Sequence, residues 1–252
     1  YQDLLSRPHG VLLLTGPTGS GKTTTLYASL SSMDSDALKI ITVEDPVEYQ
    51  LRGINQIQVK PQIGLDFALA LRSILRQDPD IIMIGEMRDA ETAKIGVQAA
   101  LTGHLVLSTL HTNTAAAAIT RLEDMGIERY LITSSVNGVL AQRLVRKLCK
   151  HCRESVSVSA EMLSSHGLGR FMKSPEDPIY RAVGCDDCKH TGYRGRTGIH
   201  ELFVLDTVMY DAILGGADST TLHATARGNG MHTLFEDGLR KVALGITSME
   251  EV

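Results

Sequence analysis

The eight residues GPTGSGKT at positions 16–23 constrain this 252-residue chain more tightly than anything else in it. They match G-x-x-x-x-G-K-[ST], follow the apolar run GVLLLT and open the helical stretch KTTTLYASL. A chance glycine-rich turn would not carry both the motif and that strand-to-helix context. Gly16, Gly19 and Gly21 let backbone N–H groups approach phosphate oxygens with no Cβ in the way, and the helix N-terminus adds positive partial charge. Lys22 is expected to reach the β- and γ-phosphates of a nucleoside triphosphate, and the Thr23 hydroxyl to hold Mg²⁺. Pro17, Thr18, Ser20 and Thr24 complete the cradle and the first helical turn.

The surrounding pattern agrees with such a loop. Residues 9–145 alternate short apolar runs (LKIITV, DIIMIG, HLVLSTL) with helical stretches (DFALALRSIL, AETAKIGVQAAL). Strands alternating with helices imply a parallel sheet covered on both faces. INQIQV alternates polar and apolar residues and reads as a half-exposed strand in an antiparallel excursion. Past residue 145 the pattern gives way to cysteines, short polar stretches and the loop-like SPEDP at 174–178, then to helices at 207–214, 219–229 and 231–244 with glycine stops. The expected division is a core over 1–147, a cysteine module over 148–200 and a helical C-terminal part over 201–252.

Two acidic segments accompany the loop. DPDIIMIGEMRD at 78–89 is a strand ending near a carboxylate, but Gly85 stands where such a strand usually carries aspartate. Glu86 is therefore expected to serve the metal or to order the attacking water and accept its proton. Asp80, at the other end of the strand, reads as structural. In ITVEDPVEY, Glu44 and Glu48 are expected near the metal or water, with Pro46 stiffening the turn. His104 and His111 flank the strand HLVLSTL; His111 leaves its C-terminal end, where ligands bind in open α/β sheets, and could sense the γ-phosphate, whereas His104 reads as a cap. Arg72, Arg76, Arg88, Arg121, Arg143, Arg194 and Arg196 are all candidates to supply charge at the transition state, and the sequence does not rank them.

CKHC at 149–152 and CDDC at 185–188 form two C-x₂-C knuckles separated by 32 residues, longer than the usual zinc-ribbon spacer. Cys149, Cys152, Cys185 and Cys188 are expected to bind a structural Zn²⁺, since a closed Cys₄ site leaves no position for substrate. His151, His190 and His200 are spare ligands. Composition removes other classes. With 25 Lys plus Arg against 29 Asp plus Glu the net charge is −4, and 43% hydrophobic against 21% charged residues is an ordinary globular mixture. Disorder, a disulfide scaffold and a global nucleic-acid footprint are excluded. The longest apolar runs are too short to span a bilayer and no signal segment is evident. A cytoplasmic chain is expected, and Tyr rather than Met at position 1 suggests a piece of a longer protein.

GPTGSGKT, ITVEDPVEY, LRQDPDIIMIGEMRD, TGHLVLSTLHTN and the paired knuckles with TGYRGRTGIHE, in that order through nearly the whole chain, resemble the secretion ATPase superfamily. INQIQVKPQIGLDFALALRSILRQDPD makes the chain most similar to the C-terminal ATPase domain of type II secretion assembly ATPases, ahead of type IV pilus assembly (extension) ATPases; retraction ATPases usually lack the cysteine module. The resemblance implies a RecA-like P-loop core using ATP and Mg²⁺, working as a homo-oligomeric, hexameric ring on the cytoplasmic side of the inner membrane. ATP hydrolysis would drive pseudopilus assembly, and so protein export, through an inner-membrane platform protein and cytoplasmic linker proteins. It also implies that Arg194 and Arg196 lie near nucleotide. A nucleic-acid-translocating RecA-like motor is the rival from another class; the acidic balance and the lack of an aromatic-plus-basic stripe count against it, so no nucleic-acid partner is expected.

Overall fold

A computed structural model describes residues 1–158, 163–164, 167–174 and 176–252. Pro175, inside the SPEDP stretch, lies outside the described residues. The chain forms two compact units: Tyr1–Ala141 with Leu202–Met231, and Gln142–Glu201 with His232–Val252.

In the first unit, strands β1 (Gly10–Thr15), β2 (Ile40–Glu44), β3 (Asn55–Gln58), β4 (Ile81–Ile84), β5 (Leu105–Leu110), β6 (Val136–Leu148) and β9 (Tyr193–Val204) take the order β3-β2-β4-β5-β1-β6-β9. Strand β6 contributes its residues up to Ala141, and β9 its residues from Leu202. β1 runs parallel to β5 and β6, and β4 runs parallel to β2 and β5. Every residue of β1, β2, β4 and β5 is buried, as two-sided helix cover requires. β3 is a correction to the expected antiparallel excursion. It pairs parallel to β2, Ile41 opposite Asn55 through Glu44 opposite Gln58, because residues 45–54 carry the chain back along the sheet before it pairs.

Among the described residues the α-helices include α1 (Gln2–Leu5), α2 (Lys22–Ser31), α3 (Phe67–Ile74), α4 (Ala90–Leu101), α5 (Ala115–Asp124), α6 (Arg129–Ser135), α7 (Thr207–Leu214), α8 (Ser219–Gly228) and α9 (Leu234–Ala243). Side-chain caps start six of them: Asp66, Asp89, Thr114, Asp206, Asp218 and Thr233 each accept a backbone N–H from the first turn. On one sheet face Leu26, Tyr27 and Leu30 of α2 pack on Leu12, Leu14, Met83 and Leu107. On the other, Gly96 lets α4 approach Ile84 and Val106.

The second unit has a two-stranded antiparallel ribbon, β7 (Glu154–Val156) with β8 (Ile179–Arg181), and packs Leu239 and Val242 of α9 on Leu168 and Ile179. The stretch 201–252 therefore serves both units. Met209, Ile213 and Leu222 of α7 and α8 are buried in the first, whereas α9 belongs to the second. Among the described residues no helix is long and apolar enough to cross a membrane.

Candidate functional site

Because β2, β4, β5 and β1 are parallel neighbours, their C-terminal ends share one edge of the sheet in that order. Glu44 ends β2, Glu86 follows β4, His111 follows β5, and the phosphate loop follows β1. Residues up to 95 positions apart in the chain are brought to the edge where open α/β sheets bind ligands.

The loop has the backbone its glycines permit. Gly16, Gly19 and Gly21 have φ of 147°, 79° and 86°, and Gly21 is the N-cap of α2. Lys22 folds back over the loop, its Nζ donating to the carbonyls of Gly16 at 2.7 Å and Pro17 at 3.2 Å. Burial lowers the Lys22 pKa, and the nearby Glu86 charge opposes that shift. Pro17, Thr18, Gly19, Thr23 and Thr24 are exposed and Ser20 is buried. The loop is braced from behind: Thr15 Oγ1 and Thr112 Oγ1 lie 2.7 Å apart, and the Thr112 N–H donates to Thr15 Oγ1 at 2.8 Å.

Glu86 is held at both oxygens. Arg88 Nε donates to Oε2 at 2.8 Å, and His111 Nε2 lies 3.1 Å from Oε1. Arg88 Nη1 also stands 3.8 Å from Asp45 Oδ2, linking the carboxylate to the turn after β2. The hydrogen bond to Glu86 raises the Arg88 pKa, so that guanidinium stays charged. The backbone carrying Glu86 is fixed: the Gly85 N–H donates to Val43 O at 2.8 Å, and Thr109 Oγ1 to Gly85 O at 2.7 Å. A Cβ at Gly85 would stand 3.3 Å from Val43 O and 3.4 Å from Glu44 Cα, a tight approach to the backbone of β2.

The other sequence candidates separate. Glu44 is buried, and its oxygens accept from Tyr27 Oη, Thr42 Oγ1 at 2.5 Å and Gln56 Nε2 at 3.1 Å. The Tyr27 pKa is pushed up to about 12, first by burial and then by Glu44. Glu48 is exposed, and its backbone N–H reaches Tyr27 Oη at 3.3 Å. His104 Nδ1 lies 2.8 Å from Ala99 O as a helix-end cap, and Asp80 accepts the Lys39 N–H at 2.7 Å. Arg72 pairs with Glu91. Arg194 and Arg196 lie in the second unit. Sequence reasoning missed the Arg88–Asp45 link and Tyr27; the only signal for the first was an arginine two residues after Glu86.

In the second unit the four cysteines are free, and their sulfurs all lie within 4.8 Å of one another. Cys149–Cys185 is 3.9 Å, and Cys152–Cys188 and Cys185–Cys188 are each 3.8 Å. Four sulfurs about 2.3 Å from a tetrahedral zinc stand about 3.8 Å apart, so the donor set fits that ion. Burial pushes the Cys188 thiol up, but N–H groups of Cys185 and Gly192 outweigh it and bring it to about 6. Burial pushes the Cys152 thiol up to about 12, and a cation at the centre of the set would favour its thiolate.

The family described as type II/IV secretion system protein matches residues 1–252. The chain belongs to this family. It is 57% identical over 252 residues to type II secretion system protein E of Xanthomonas campestris pv. campestris, covering all of this chain and 44% of that protein. It is 52% identical to the type IV pilus assembly ATPase PilB of Thermus thermophilus, covering all of this chain and 28% of that one. Among solved structures, the pilus retraction motor PilT with bound ADP superposes with a TM-score of 0.71 at 28% identity, covering 99% of this chain and 62% of that chain. This secretion-family chain thus spans less than half the length of the curated relatives it matches. The RecA-like α/β sheet of its first unit agrees with what the resemblance implied, and the four cysteines gathered in its second unit agree with the paired C-x₂-C knuckles.

Proposed function

We propose that this chain is the ATP-hydrolysing part of a motor that assembles the type II secretion pseudopilus and so drives protein export. The observation that carries the reading is Glu86, gripped by Arg88 and His111 at the end of β4, beside a complete phosphate loop. MgATP would sit with its phosphates on the backbone N–H groups of residues 16–23. Lys22 would leave the Gly16 and Pro17 carbonyls to meet the β- and γ-phosphates. Thr23 would hold Mg²⁺, which would supply positive charge to the phosphates. Glu86 would orient the attacking water and accept its proton, and His111 would report the γ-phosphate to the Glu86 carboxylate. Glu48, exposed on the turn, is free to meet a metal-bound water, while Glu44 fixes that turn through Tyr27. Arg196 would serve nucleotide in a ring of copies, most simply a hexamer. The cysteines would hold a structural Zn²⁺. Such a motor works on the cytoplasmic side of the inner membrane against platform and linker proteins.

Mg-dependent ATP turnover measured against chain concentration tests this. Specific activity should rise with concentration, as sites completed between copies require, and Lys22→Ala should abolish it. Glu86→Gln should bind MgATP and turn over about 10²–10⁴-fold more slowly. Wild-type turnover in Glu86→Gln would move the base elsewhere. The similarity to PilB supports a second reading, pilus extension by the same chemistry. Restoring export or piliation in cells whose longer protein carries this chain separates the two.

A further inference from the structure

The second unit contains a cavity of about 850 Å³, within the range of small-ligand sites. Lys147, Lys150, Arg153 and Arg194 line it, with His151 beside them, and no carboxylate does. Several cations of the same unit are neutralised locally: Arg146 by Glu251, Arg170 by Glu236, Arg181 by Glu154 and Lys241 by Asp237. Among the described residues the four lining cations have no such partner.

The wall is built rather than loose. Arg153 Nη1 donates to Gly245 O, and its guanidinium lies 4.3 Å from the centre of the Tyr180 ring. Gly195 has φ of 76°, a conformation that favours glycine, and a Cβ there would stand 3.2 Å from Lys147 Cε. Leu148, Leu244 and Ile246 add an apolar floor. Four like charges converging without a counter-charge repel one another, and a bound anion removes that repulsion. Arginine forks and lysine point charges suit phosphate oxygens, and the apolar floor suits an organic body.

We propose that this cavity binds a phosphate-bearing small molecule, at a site separate from the phosphate loop. Every lining residue belongs to the second unit, so the proposal stands whether or not the chain hydrolyses ATP.

Calorimetric titration of the full chain carrying Lys22→Ala, which silences the phosphate loop, with pyrophosphate and separately with ADP tests it. The expected result is about one equivalent of either ligand bound, with affinity falling at least tenfold when Lys147→Ala and Lys150→Ala are added. Arg240→Ala removes one charge outside the cavity and should leave binding as it was. Zinc content and melting temperature are measured on each variant. Lys147→Gln alone, further from the cysteines, should still weaken binding if the double variant misfolds. No binding by the Lys22→Ala chain would overturn the proposal. So would an equal loss in Arg240→Ala, which means diffuse surface charge, or binding of ADP without pyrophosphate, which means recognition of the base. Binding to phosphatidylglycerol vesicles alone, with neither soluble ligand bound, would also overturn it, because the cations would then serve a membrane surface.

Discussion

A carboxylate acts as a base only if it points at the water, and Glu86 is aimed by two neighbours on separate oxygens. Arg88 is the adjustable one: it is more than half exposed and also reaches toward Asp45. Removing it should leave nucleotide binding largely intact and misdirect the carboxylate. Arg88→Ala is expected to lower kcat on the order of tenfold, about 1.4 kcal/mol in barrier, with little change in KM. Arg88→Lys should recover part of that loss by keeping the charge, though not the fork. Steady-state kinetics of the two variants checks this, and a change confined to KM would assign Arg88 to binding. Asp237 allows a pH prediction. Burial raises its pKa, but hydrogen bonds from His200 and Lys241 outweigh this and bring it down to about 2 from its usual 3.8. A depressed carboxyl pKa stabilises the fold above the unfolded value and loses that contribution as pH falls through the folded one. The wild-type chain should therefore shed on the order of 1 kcal/mol between about pH 4 and pH 2, after allowance for solvent screening. Asp237→Asn should lack that step in denaturant titrations run across the same range.

Gly138 sets how closely β6 can approach its neighbour. A Cβ there would meet Phe203 O at 2.9 Å and Leu4 Cδ1 at 2.8 Å, and a backbone carbonyl cannot swing aside as a side chain can. Gly138→Ala should destabilise the first unit by roughly 1–3 kcal/mol, read as a lower denaturant midpoint at unchanged slope. Nothing in the stretch SSVNGVLAQ announces that constraint, because it comes from a strand more than sixty residues away. The elements themselves were legible where their causes are local. The phosphate loop carries its own glycines, and the helices expected at 207–214 and 219–229 begin at the aspartate caps Asp206 and Asp218. The direction of β3 was not legible, because alternation sets which face a residue takes and says nothing of which way its strand runs. Glu44 shows the same limit from the other side. Its sequence neighbours place it in an acidic turn but do not name Tyr27 and Gln56, the partners that enclose it.

At the scale of the whole chain, the two units are stabilised by different means. The first unit buries four parallel strands completely. The second has a two-stranded ribbon, a small apolar cluster of Leu168, Ile179, Leu239 and Val242, and four cysteines that enter from segments more than thirty residues apart. Such a unit resembles small metal-dependent domains, in which zinc binding is of order 10 kcal/mol and is inseparable from folding. Metal analysis should therefore find one zinc per chain. A strong chelator should then loosen one unit selectively. Amides of residues 184–192 that now donate to cysteine sulfurs should exchange rapidly, whereas those of β1, β4 and β5 should keep their protection. Retained protection around the cysteines in metal-free chain would mean that packing alone holds the second unit. Loss of protection in both units at once would mean that the chain unfolds as one cooperative body, and the ATPase core would then depend on the zinc as well.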